Sequence, residues 1–161
     1  MTYKTSLDKT ALAITVSVTI LFAFIIGGQF VIITNAGDAS PIYTTSACLI
    51  IYFLAFAFRP LDYIVTNEEI IIRRLIWNVH IKKVDIKSVA KVNKKEIRSS
   101  FRMFGVGGLF GYFGNFSNFS LGSMTWYATR RDTPVLVMTA DNKRIILTPN
   151  EPDKFVSELN S

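Results

Sequence analysis

Two uncharged apolar runs, residues 11–33 and 42–58, fill the first third of the chain, and a basic remainder follows them. As helices rising ~1.5 Å per residue they reach about 34 and 26 Å, against a bilayer hydrocarbon core of ~30 Å. The first crosses with room to tilt, and the second gains length if Ser40 and Pro41 enter its first turn. The connector from Thr34 to Pro41 carries Asn35, Gly37, Asp38, Ser40 and Pro41, a turn composition. The pattern predicts a transmembrane helical hairpin over 11–58, a short cytoplasmic flank over 1–10, and one small soluble domain over 62–161.

A cleaved signal is a poor fit, because its apolar core is usually ~7–15 residues and a second apolar run follows. Cys48 is the single cysteine, so no disulfide forms within the chain. It lies inside the second run rather than after it, which excludes a lipidation motif. Lys4 and Lys9 precede the first run, the connector has no Lys or Arg, and Arg59, Arg73 and Arg74 follow the second. The positive-inside bias then predicts both chain ends on the cytoplasmic side of the cell (inner) membrane and the connector outside. Gln29 is placed to bond across to Thr44 or Thr45, and Gly27 and Gly28 permit close packing. Neither run carries an acid or base, which favours a packing interface over a transport pathway.

Beyond Arg59-Pro60, which stops the second helix, short alternating segments predict strands at 63–65, 69–77, 79–84, 90–97 and 124–130. Asp85 to Val89 reads as a corner. Val135–Thr139 and Arg144–Leu147 form a hairpin around Ala140-Asp141-Asn142-Lys143. Pro152 opens a terminal amphipathic helix with Phe155, Val156 and Leu159 on its apolar face. These elements make a mainly-β domain, a small barrel plugged at one end.

The order Tyr63-x-Val65, Ile70-x-Ile72-x-Arg74, Asp85-Ile86-x-x-Val89 resembles the first half of bacterial pleckstrin-homology-like (PH-like) domains. The resemblance continues through Ile97-Arg98-x-x-x-Arg102-x-Phe104-Gly105-x-Gly107-Gly108-Leu109-Phe110-Gly111-Tyr112-Phe113-Gly114. It ends on Tyr127-Ala128-Thr129 and Thr148-Pro149-x-x-Pro152-x-x-Phe155. It covers about residues 62–160, and the Gly-rich block is its specific part. Members of this family often follow two membrane spans. The resemblance implies a seven-stranded bent barrel closed by a C-terminal helix, and no enzyme activity. It carries no ligand residues over. Phosphoinositide-binding PH domains place a Lys and then Arg/Lys-x-Arg around their first hairpin. Here the turn is Asn67-Glu68-Glu69, with Arg73 and Arg74 beyond and no Lys before them, so that activity is not carried over.

The catalytic inventory is thin. His80 is the only histidine, Glu68 and Glu69 point to opposite strand faces, and Ser99-Ser100 has no partner at a triad spacing. The block Gly105-x-Gly107-Gly108-x-x-Gly111 fits neither phosphate-loop pattern. The reading is non-enzymatic, with no metal site and no cofactor.

Two surfaces remain. Phe101, Phe104, Phe110, Phe113, Phe116 and Phe119 fall at multiples of three among Gly105, Gly107, Gly108, Gly111, Gly114 and Gly122. That glycine density argues against regular structure and predicts a long loop. Its rings either fill the core or meet the bilayer and the inner ends of the spans. Phe110 and Phe113 are expected buried, Phe116 and Phe119 more exposed. The second surface is basic: Arg73, Arg74, Lys82, Lys83, Lys87, Lys91, Lys94, Lys95, Arg98 and Arg102 face only Asp85 and Glu96 between 73 and 102, a local +8 against +6 for the chain. This predicts a surface for anionic lipid or a partner, with nucleic acid disfavoured by the membrane tether. The function expected is a membrane-anchored binding or scaffolding module on the anionic cytoplasmic leaflet. The alternative is a regulatory or oligomerising subunit of a larger membrane assembly, as a homo-oligomer or beside another membrane protein.

Overall fold

The structure, a computed structural model, describes residues 1–36 and 40–160. Two long helices, α1 (Lys9–Ala36) and α2 (Ser40–Ala57), stand beside a mainly-β domain. Helix α1 runs through Thr34 and Asn35, which the sequence assigns to the turn; the Thr34 hydroxyl is satisfied by the Phe30 carbonyl one turn back at 3.1 Å. Gly37 and Asp38 of the expected turn lie outside the described residues. Ser40 and Pro41 do enter the first turn of α2, where proline's missing N–H is no loss.

The helices pair through the polar contacts expected. Gln29 Nε2 donates to Thr44 Oγ1 at 3.1 Å, and the Thr45 hydroxyl donates to Gln29 Oε1. Thr19 and Tyr52 share a hydrogen bond of 2.7 Å nearer the domain. The apolar stretch of α1 is 0% buried in the protein and that of α2 17%, so neither is the core helix of a soluble fold. Both are long and apolar enough to cross a membrane.

The domain is built of two sheets. One has the order β1 (Thr2–Lys4), β2 (Asp62–Val65), β3 (Glu69–Arg73), β4 (Val79–Lys82). The other has the order β5 (Ile86–Lys91), β9 (Val135–Thr139), β10 (Arg144–Leu147), β8 (Gly122–Ala128), β7 (Gly111–Asn118), β6 (Phe101–Gly108). Neighbours are antiparallel except β8 and β10, which run parallel. A main core lies between the sheets. Alternation delivers Tyr63 and Val65 from β2, Ile70 and Ile72 from β3, and Val135 and Val137 from β9 into it. Helix α4 (Pro152–Asn160) lays Phe155, fully buried, against Tyr3 and Tyr63 with ring centroids 5.0 and 6.1 Å away. A second core sits on the other face of the six-stranded sheet. There Trp126, Phe116, Tyr112 and Ile146 are covered by Ile97 of a short helix, α3 (Lys94–Arg98), and by Ala11 of α1.

Four expectations are corrected. Residues 1–10 are not merely a flank: β1 pairs with β2 in the register Tyr3↔Tyr63. Strand β5 instead covers the expected corner from Ile86 onward and ends at Lys91, early in the expected strand over 90–97, and the chain turns into α3. There Asn93 accepts from the Lys95 amide at 2.9 Å while Glu96 accepts from the Asn93 amide at 3.3 Å, a capping box that outweighs the alternating pattern. The Gly/Phe block is not a loop but the β6–β7 hairpin continuing into β8. Among the described residues ten strands form where the resemblance implied seven.

Candidate functional site

The β6–β7 hairpin reaches from the domain to the near ends of both long helices. Its strands hold Gly105 opposite Gly114, with φ of 111° and 118°, a region that only glycine enters freely. A Cβ at either residue would stand 2.3 or 2.4 Å from the carbonyl oxygen of Phe113 or Phe104 across the ladder. The pair therefore lets the two backbones close while the alternation of side chains is reset. Gly108 and Gly111 face each other at the end of the hairpin, and Leu109-Phe110 makes the turn.

Phe110 takes φ of 57°, costly for a bulky residue. Its surroundings hold it there. Its amide donates to Thr15 Oγ1 of α1 at 2.9 Å, and its ring meets Tyr52 and Phe56 of α2 edge-on with centroids 5.1 and 5.4 Å away. The Arg59 guanidinium lies over the Phe56 and Phe110 rings, 4.4 and 5.7 Å from their centroids, and burial lowers its pKa. One turn of hairpin is thus wedged between α1 and α2.

Asp8 fixes the other attachment. It caps α1 by accepting the Ala11 amide at 2.7 Å, and it also takes the Arg131 amide at 3.1 Å. The Tyr112 hydroxyl completes the cluster, and burial, with Asp8 beside it, pushes that hydroxyl's pKa up to about 12. Arg131 lies 4.4 Å over the Tyr112 ring.

Between this hairpin, the two helices and β8 opens a groove of about 790 Å³. Ile51, Leu54 and Phe58 supply one wall, and Val106, Phe113 and Tyr127 another. Arg74 and Arg102 both line it and, among the described residues, no acidic residue does. Arg74 sits over Phe58 and Tyr127, 5.3 and 5.7 Å from their centroids, and donates through Nε to the Trp77 carbonyl at 2.7 Å. Burial lowers its pKa. The loop after β3 keeps Trp77 at φ of 52° with its ring largely in the open, 6.0 Å from Phe58.

The phenylalanine series divides. Phe110 and Phe113 are buried, as expected. Phe116 is not exposed but completely buried, stacked on Trp126 at 4.5 Å, because its strand pairs it with Met124 on the covered face. Phe119, beyond the strand end, is fully exposed. Phe101 and Phe104 lie exposed on β6, the edge strand, and a Cβ at Gly107 on the same strand would first meet the Arg102 side chain.

The ten basic residues are spread rather than gathered. Arg73 is bidentate on Asp62, and Lys91 pairs with Asp153 of α4 at 2.7 Å. Lys82 ends β4, Lys83 begins a 3-10 turn, Lys87 lies on β5, and Lys94, Lys95 and Arg98 lie on α3. Only Arg74 and Arg102 of this set share the groove. His80 pairs with Glu69 at 3.1 Å on an exposed strand face. Asp8, Thr15 and Tyr112 escaped sequence reasoning. The one available signal was an aspartate directly ahead of a long apolar run, a helix N-cap pattern.

No curated protein and no solved structure matches the chain. The family model for the bacterial PH domain matches residues 61–161, well over half of the sequence and the whole span from β2 through α4. The chain therefore belongs to the bacterial PH domain family.

Proposed function

We propose that the protein is a non-enzymatic binding or scaffolding module, anchored by α1 and α2 and held against the anionic cytoplasmic leaflet of the cell membrane. The observation that carries this reading is the lack of slack between helices and sheets. Strand β1 leads through Asp8 into α1, α2 leads through Arg59-Pro60 into β2, and Phe110 is wedged between the helices. A bilayer crossed by α1 and α2 would touch the domain. Pairing of β1 with β2 keeps both flanks of the helical hairpin on one side. Lys4, Lys9, Arg59 and Arg74 give that side the positive charge of a cytoplasmic face. Trp77 and Leu75 project from the loop next to Phe58, where an aromatic belt would lie.

The test joins topology to lipid binding. Reporter fusions between α1 and α2 should read outside, and fusions after α4 inside. The full chain in neutral nanodiscs should recruit anionic vesicles weakly and lose them between low and physiological salt, since exposed charge is screened over ~8 Å. A C-terminal reporter active only outside would overturn the reading, and so would recruitment indifferent to salt.

One observation favours a second reading, an oligomerising subunit. Strand β6 is a sheet edge, and it exposes Phe101, Met103 and Phe104 beside unpaired backbone groups. A defined oligomer in detergent that Phe104→Lys reduces to monomer would select this reading over the first.

A further inference from the structure

We propose that the groove between the β6–β7 hairpin and the two helices holds one anionic phospholipid, with its phosphate between Arg74 and Arg102 and an acyl chain along Ile51 and Leu54. The proposal rests on the membrane-apposed reading above and names the ligand of that face.

The charge of the groove comes first. Two arginines line it and, among the described residues, no acidic residue does. Among the described residues neither arginine has a carboxylate partner, in contrast to Arg73, which is spent on Asp62, and Arg130, which is spent on Asp132. Arg74 is held by neutral groups alone: the Trp77 carbonyl takes Nε, and the rings of Phe58 and Tyr127 lie under the guanidinium. Its terminal nitrogens are left to donate elsewhere, and a phosphate accepts two parallel N–H bonds from such a fork. Arg102 reaches the groove along Gly107, where an added Cβ would stand 3.5 Å from the Arg102 Cδ.

The shape of the groove comes second. Its volume of about 790 Å³ falls within the ~300–1,000 Å³ typical of small-ligand sites. Its remaining lining is mostly apolar, and part of it is the outer surface of α2, where Ile51 and Leu54 stay exposed. A soluble anion would use the two arginines and leave this wall bare to water. A lipid whose tail already lies in the bilayer beside α2 covers it without leaving the membrane. The basic residues on β5 and α3 do not line this groove, which separates the site from general attraction to charge.

The experiment is native mass spectrometry of the full chain released from micelles containing equal phosphatidylglycerol and phosphatidylcholine. The expected result is one phosphatidylglycerol retained per chain. Arg102→Gln, on an exposed edge strand, and Arg74→Gln should each lower retention about tenfold. Lys154→Gln, on α4 and outside both the groove and the basic series, should leave it unchanged. Should Arg74→Gln disturb its loop, Arg102→Gln alone decides. Equal retention of the two lipids, no retention, or retention unchanged by Arg102→Gln overturns the proposal. Complete displacement by millimolar glycerol phosphate also overturns it, because the site would then read a free phosphate. Topology reporters run beside it separate the failures: if the helices do not cross, both readings fall, and if they cross without a retained lipid, only this one does.

Discussion

The Tyr112 hydroxyl donates to Asp8 Oδ1 at 3.2 Å, and that same oxygen caps α1 through the Ala11 amide. One carboxylate thereby joins the start of a membrane-length helix to the second strand of the Gly/Phe hairpin. Asp8→Ala should lower the stability of the full chain in detergent by about 1–2 kcal/mol through the cap alone, with the tyrosine bond adding to it. Asp8→Asn keeps a good cap and should lose less. Melting temperatures of the two variants check this, and equal losses would mean that the cap is not what Asp8 supplies.

Ionisation of Tyr112 offers a separate reading of the same contact. Its pKa is raised in the fold, so its contribution is complete below about 10 and fades as pH climbs toward about 12. Tyr3 and Tyr63 are shifted the same way, also to about 12. The protein should therefore lose stability on the alkaline side, and Tyr112→Phe should flatten part of that slope. Denaturation at about pH 9 and about pH 11 measures it.

Phe116→Ala should cost ~3–5 kcal/mol, since it empties the space beside Trp126. Phe119→Ala should stay within about 0.5 kcal/mol, being fully exposed. Similar melting for the two would contradict the assigned strand pairing.

The glycines of the hairpin should divide as sharply. Gly105→Ala and Gly114→Ala place a Cβ on a facing carbonyl at a φ hostile to side chains, and folded protein should be lost. Gly107→Ala meets nothing nearer than 3.5 Å and should be tolerated. Yield of monodisperse protein and circular dichroism of the three variants decide it.

How far these features were legible in the sequence depended on whether a single rule governed them. The spans are uncharged apolar runs, the β9–β10 hairpin and α4 each follow one period, and Gln29 finds Thr44 and Thr45 as its polar match across the helices. The Gly/Phe block does not. Positive φ at Gly105 and Gly114 breaks the alternation that would announce strands, and only the facing register Gly105↔Gly114 makes sense of it. Strand β1 is three residues long and its partner is distant in the chain, so nothing local marks it. Helix α3 did leave a signal, Asn93 followed by Glu96, that charge alternation over 90–97 masked. The groove arginines look like any other members of a basic stretch until the fold sets them apart from it.

The pairing of Tyr3 with Tyr63 has a consequence for biosynthesis. Strand β1 leaves the ribosome before α1 and α2, its partner leaves after them, and Phe155, which packs on both tyrosines, leaves later still. The first sheet cannot close until both helices have been made and their two flanks have come together. Were α1 and α2 to span a bilayer, a chain in which only one of them crossed would leave β1 on the far side from β2. Such a chain keeps an open sheet edge and an unsealed core, the features by which quality-control proteases tell failed products from finished ones.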